Sequence, residues 1–173
     1  MNLLDKVRVL IERSKNKQPG DPYFYDVNPK EITWSPQELE VIYSKYAWLP
    51  KEYIEFLKEF DGISIAFCRF YGSKKGIAII LDEQVNLHKS LLKDDYFPFA
   101  SDADGSIFLF DKQGRVCWWD IEDYDFEHKP KILAETFEEF VSECLLGGRY
   151  IEFDSINIEN NTFYKFLKDH GWT

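Results

Sequence analysis

The stretch Trp48-Leu49-Pro50-Lys51-Glu52-Tyr53-Ile54-Glu55-Phe56-Leu57-Lys58-Glu59-Phe60-Asp61-Gly62 carries a start, an apolar face and a stop for one helix. Pro50 suits the first helical position, where its missing N–H has no intrahelical partner to lose and its fixed φ is already helical. Trp48 and Leu49 precede it as a hydrophobic staple. Tyr53, Phe56, Leu57 and Phe60 recur at helical spacing on one stripe, while Lys51, Glu52, Glu55, Lys58 and Glu59 fall mostly off it. Gly62 ends the helix, because glycine enters the left-handed region without steric cost. The chain then turns directly into Ile63-Ser64-Ile65-Ala66-Phe67, which reads as a strand. The pattern predicts a helix packed beside a sheet, and it names no chemistry.

Upstream, Ser35-Pro36-Gln37-Glu38 forms a capping box that opens a helix over residues 36–46, with Leu39, Ile42, Tyr43 and Tyr46 on one side. The short connection to Pro50 makes the two helices neighbours. Residues 14–22 are rich in turn formers, so the amphipathic helix expected over residues 1–13 is read as an outrigger. Downstream, residues 63–67, 69–71 and 76–81 read as short strands of a meander, residues 85–92 as a helical turn, and residues 96–100 as a strand whose Pro98 places it at an edge or a sheet entry. Residues 106–111 and 115–120 form a hairpin through Lys112-Gln113-Gly114. With Asp111 opposite Arg115, Phe108, Phe110, Val116 and Trp118 share one face, and Ile107, Leu109, Cys117 and Trp119 the other. Two apolar faces mark the hairpin as central. Thr136-Phe137-Glu138-Glu139 is a second capping box for a helix that stops at Gly147-Gly148, and residues 161–168 read as a short capped helix. Helices, then strands, then helices is an α+β order.

The 173 residues suit one domain, and a hydrophobic share of 45% excludes a disordered chain. The charged residues within the first thirteen exclude a signal peptide, and no apolar run approaches the ~20 residues of a membrane span. Cys68, Cys117 and Cys144 are too few and too widely spaced for a disulfide framework or a zinc site, so a reduced, cytoplasmic protein is expected. The net charge of −10 is unevenly placed: residues 94–159 hold seventeen Asp and Glu against five Lys and Arg, and residues 1–93 hold thirteen against fourteen. An acidic half repels nucleic acid and anionic membranes and speeds association with a basic partner; the alternative is a solvated face that serves solubility.

His88, His128 and His170 are scattered without metal-ligand spacing and read as surface residues. Asp102-Ala103-Asp104-Gly105 is similar to the start of a calcium loop, but such a loop wants Gly sixth and Glu twelfth, where this chain has Gln113; a tight turn between strands accounts for it. No motif anchors an enzyme reading. In Trp118-Trp119-Asp120-Ile121-Glu122-Asp123-Tyr124-Asp125-Phe126-Glu127, carboxylates alternate with aromatic and aliphatic residues. That composition suits a protein-binding surface, with aromatic anchors for contact and acids for steering; the alternative is a solvated loop whose aromatics cover a core edge.

The chain resembles the SUKH superfamily, which groups bacterial immunity proteins with fungal regulators of cell-wall synthesis. The resemblance rests on Leu49-Pro50 followed by Tyr53, Phe56, Leu57 and Asp61-Gly62, on Pro98-Phe99-Ala100 leading into Asp104-Gly105-Ser106, on the hairpin from Phe108 to Trp119 with Gly114, and on the helix starting Thr136-Phe137. Asp61 stands where the family often has Asn. The resemblance covers about residues 35–146, giving an N-terminal helix and loop (1–34), a core (35–148) and an extension with a short helix packed on the core (149–173). It implies a single-domain α+β fold, a mainly antiparallel sheet flanked by helices, no cofactor and no catalysis. Bacterial members typically bind and neutralise a toxin, often a nuclease. The implied expectation is a cytoplasmic immunity protein that binds a basic toxin domain, and neither nucleic acid nor membrane. Its contact residues are expected to be Trp119, Asp120, Glu122, Asp123, Tyr124 and Asp125, joined by Asp102 and Asp104. An intracellular scaffold or regulator of the fungal kind is the alternative.

Overall fold

The computed structural model describes residues 1–16, 34–73, 81–89, 93, 95–120, 122, 129–153 and 161–173. Six strands pair consecutively and antiparallel into one sheet: β1 (Ser64–Ile65), β2 (Cys68–Phe70), β3 (Tyr96–Ser101), β4 (Ile107–Asp111), β5 (Val116–Trp119) and β6 (Lys131–Ala134). Around it lie α1 (Leu3–Lys15), α2 (Pro36–Lys45), α3 (Lys51–Glu59), α4 (Leu81–Leu87), α5 (Phe137–Glu139), α6 (Tyr150–Phe153) and α7 (Thr162–Asp169), with a π-helix over Phe140–Leu145 continuing α5. The α+β class and the meander follow the sequence reading.

Helix α3 is the scaffold that its stripe predicts. Tyr53, Phe56 and Leu57 are buried, and Gly62 takes φ 63° just past the helix end. Pro50 stands one position earlier than expected, as the N-cap, with an extended ψ of 135° that starts the turn from its own carbonyl. The Tyr53 ring lies 5.0 Å from Phe110, 5.5 Å from Phe137 and 5.7 Å from Phe99. Phe99 and Phe110 stack at 4.2 Å across the β3–β4 pair. Offset and edge-on rings add specific geometry to the large apolar area that they bury. One apolar cluster extends from Leu3 to Trp172.

The hairpin has the predicted register: Phe108 pairs with Trp118, Phe110 with Val116, Ile107 with Trp119 and Leu109 with Cys117. Its two faces enter two apolar clusters, one with the helices and one formed by Ile107, Leu109, Cys117 and Trp119 with Tyr96. Asp111 fixes the turn, its Oδ1 accepting from the Gln113 and Arg115 amides at 3.0 Å and its Oδ2 from Arg115 Nε at 2.7 Å.

Five expectations need correction. The strand expected over residues 63–67 is cut short because Ala66 takes φ 52° in a two-residue turn, so Ile65 pairs with Cys68 and β1–β2 is a tight hairpin. Leu81 opens α4 rather than closing a strand, and residues 76–80 lie outside the described residues; the helical turn expected over 85–92 accordingly begins earlier. Strand β3 is internal, between β2 and β4; its Pro98 is accommodated by a bulge between Pro98 and Ala100, beyond the last β2 partner. Helix α1 is no outrigger: Val7 and Leu10 are fully buried, and the Lys6 ammonium donates to the Ser142 and Leu146 carbonyls at 3.1 and 3.4 Å. That cation serves the end of the π-helix, where backbone acceptors have no intrahelical donor. The second capping box is displaced by one residue: Thr136 Oγ1 accepts from the Glu139 amide, but Glu139 Oε2 accepts from Glu135 N–H rather than from the cap.

Candidate functional site

The meander brings the end of β3, the start of β4 and the end of β5 to one end of the sheet. The turn from Asp102 to Ser106 is the tight turn expected there: Asp102 N–H donates to the Ser106 carbonyl at 3.0 Å, and Asp104 Oδ1 accepts from the Ser106 amide at 3.0 Å. Across the hairpin, Trp118 Nε1 donates to Asp102 Oδ2 at 3.0 Å. The indole thus pins one carboxylate oxygen, while Asp102 Oδ1 is buried. Between this turn, β6 and α6 lies an open groove of about 450 Å³. Its walls are Phe67, Phe108, Trp118 and Phe153, and its polar rim is Asp102, Asp104, Lys131 and Glu152.

Burial, and then the neighbouring Asp104 carboxylate, push Asp102 from the ordinary value of 3.8 up to about 6, against the opposing pull of the Trp118 hydrogen bond. Asp104, exposed and receiving hydrogen bonds from Asp102 and Ser106, is held below the ordinary value. A carboxyl whose folded pKa lies above its unfolded one keeps a proton in the folded state between about pH 4 and pH 6, so stability falls as pH rises through that window. Asp102→Asn retains an acceptor for Trp118 and gives Asp104 a donor. It is expected to be at least as stable as the wild type at pH 7 and to flatten the change in stability between pH 4 and 6, measured by urea unfolding. A clear loss of stability at pH 7 with an unchanged pH profile would show that the carboxylate serves the fold instead.

The structure divides the expected contact residues. Asp104, Asp120 and Glu122 are exposed, and Asp102 is half-buried beside them. Asp120 Oδ1 accepts from the Glu122 amide at 2.9 Å, a local turn that keeps both acids at the end of β5. Trp119 is 3% exposed in the second apolar cluster, so its indole is a core side chain and not an open anchor. The exposed part of an indole belongs to Trp118, which sequence alternation placed on the other face. Asp123, Tyr124 and Asp125 lie outside the described residues. The sequence missed Phe67, Phe153 and Glu152, since nothing in the local pattern of a turn and a C-terminal extension announces that they meet.

His88 is not a surface residue: it is 7% exposed and meets Trp119 edge-on at 5.8 Å. His170 is exposed, with Nδ1 2.8 Å from the Phe166 carbonyl, and His128 lies outside the described residues. Among the described residues, no group of three or more His, Cys, Asp or Glu is placed to hold a metal ion, and no helix is long and apolar enough to cross a membrane.

No curated protein matches the chain. A family model does match, over the segment that holds α2, α3, the whole sheet and the start of the helix after it. On that match, spanning residues 33–143 and more than half of the sequence, the chain belongs to the SMI1 / KNR4 family (SUKH-1).

Proposed function

We propose that this protein is a non-catalytic, cytoplasmic immunity protein that binds and neutralises a basic toxin domain through the acidic end of its sheet. The observation that carries the reading is an aromatic groove rimmed by Asp102, Asp104 and Glu152, with Asp120 and Glu122 exposed at the end of β5, against Lys131 and Arg149 nearby. Carboxylates at a rim steer a basic partner and reject phosphate, and a desolvated aromatic centre supplies contact area. A nuclease domain is a fitting partner, because the surface that attracts phosphate also attracts these acids. Membership of the SUKH group supports the same reading.

Co-production with any toxic domain that a neighbouring gene encodes tests this. The wild type is expected to restore growth of the host, and the combined Asp104→Lys, Asp120→Lys and Glu122→Lys variant to lose that protection while keeping its melting temperature. All three are exposed at this end of the sheet, and because Asp104 and Asp120 each hold one turn amide, the melting temperature separates loss of contact from loss of fold. Full protection by the variant would contradict the assigned surface. A wild type that protects against no neighbouring toxin would favour an intracellular scaffold of the cell-wall-regulator kind.

A further inference from the structure

We infer that the groove beside Asp102 receives one guanidinium group, the side chain of an arginine presented by the protein partner. This rests on the reading of that end of the sheet as the partner face, and it names the chemical group that enters there.

Phe67 lies 5.6 Å from Phe153 and 6.1 Å from Phe108, both tilted, and Trp118 closes the side toward β5. These rings pack on one another and give the groove an aromatic wall, a surface that a weakly hydrated planar cation suits. The polar lining is rich in acceptors: the two carboxylates at Asp102 and Asp104 stand on one side and Glu152 on the other. Asp102 is already oriented, because Trp118 Nε1 holds its Oδ2, and the Asp104 carboxylate beside it is exposed. A forked donor suits this lining, since two N–H groups of one guanidinium can reach two neighbouring carboxylates that a single ammonium meets only as a point charge. Lys131 on the rim and Arg149, which is occupied by Glu139, Glu152 and the Leu133 carbonyl, leave the groove net acidic.

Other occupants fit less well. A metal ion wants three or more oxygen, nitrogen or sulfur ligands around one point, and half of this lining is hydrocarbon. A nucleotide or phosphopeptide would place phosphate against Asp102, Asp104 and Glu152. Burial and then Asp104 hold the Asp102 carboxyl up, and a guanidinium beside it would act in the opposite direction.

The test needs no toxin. The ¹⁵N-labelled full chain is titrated at pH 7 with Nα-acetylarginine amide, with the neutral isostere Nα-acetylcitrulline amide, and with Nα-acetyllysine amide, following the Trp118 indole N–H, which a Trp118→Phe variant assigns. The arginine amide is expected to give a saturable millimolar shift, the lysine amide to bind about tenfold more weakly, and citrulline to give none. Asp102→Asn should abolish the shift while leaving the remaining spectrum folded. Equal responses to arginine and citrulline, or no saturable response of Trp118 up to tens of millimolar arginine amide, would overturn the inference. Because the probe is independent of the toxin, its failure alongside successful neutralisation would remove the arginine slot and leave the partner face standing. A positive probe alongside failed neutralisation would do the reverse.

Discussion

Asp61→Ala is expected to cost about 3–5 kcal/mol of folding stability, whereas Asp61→Asn should stay within about 1 kcal/mol of the wild type. Asp61 is 2% exposed at the end of α3, and its carboxylate accepts from both the amide and the hydroxyl of Ser73, which is itself buried. These bonds tie the end of the scaffold helix to the chain leaving β2. The fit around them is close: a Cβ added at Gly72 would lie 2.6 Å from Asp61 Oδ1. Alanine leaves two buried donors without acceptors, and each such group bears its desolvation cost in full. Asparagine keeps the acceptor for the amide and turns its NH₂ toward the hydroxyl oxygen, which can accept. That the related family often carries Asn here therefore has a physical basis in the Ser73 pair. Urea unfolding of the two variants decides the point, and an alanine variant within 1 kcal/mol of the wild type would refute this role for Asp61.

Gly147→Ala is expected to destabilise by about 2–4 kcal/mol, while Gly148→Ala should be close to neutral. At the end of the π-helix the chain folds back on itself, with Leu146 N–H donating to the Val141 carbonyl and Arg149 N–H to the Glu143 carbonyl, both at 3.0 Å. A Cβ at Gly147 would lie 2.4 Å from the Ser142 carbonyl oxygen and 2.6 Å from Glu143 Cα, and these are backbone atoms that cannot rotate away. Relief requires the turn to open, which displaces the Ser142 and Leu146 carbonyls from the buried Lys6 ammonium. At Gly148 nothing lies within 4 Å of the added carbon. Two adjacent glycines thus have separate reasons to be there, and thermal unfolding of the pair separates them. Equal effects at both positions would contradict the close-approach account.

The elements that could be read from the sequence are those in which local chemistry and burial agree. The stripe of α3, the Ser35–Glu38 box with Ser35 N–H bonded to Glu38 Oε2 at 2.8 Å, and the two-faced hairpin all repeat a pattern at the spacing of the structure they form. Expectations failed where a long-range contact overrode the local signal. Ala66 takes a left-handed turn usually given to glycine because β1 and β2 must pair at once, and Lys6 is buried because π-helix carbonyls need a cation. The acidic side of the proposed binding surface was visible as composition in the second half of the chain. Its aromatic side was not: Phe67 belongs to a turn, Phe153 to a short helix, and only the meander and α6 bring them to Asp102. The choice of tryptophan failed for a related reason. Alternation separates Trp118 from Trp119, but which face remains open at the end of the sheet depends on what covers each one.

The claim that the acidic end of the sheet is the partner face is tested most directly by the association rate of the purified full chain with whichever basic toxin domain it is found to neutralise. That rate is to be measured from about 50 to about 500 mM NaCl for the wild type and for the Asp104→Lys, Asp120→Lys variant. A face steered by exposed carboxylates predicts a wild-type rate that falls about tenfold or more across that range, and a variant slower by about 10- to 100-fold at low salt, with dissociation little changed. A salt-independent rate, or a variant that associates like the wild type, would contradict it.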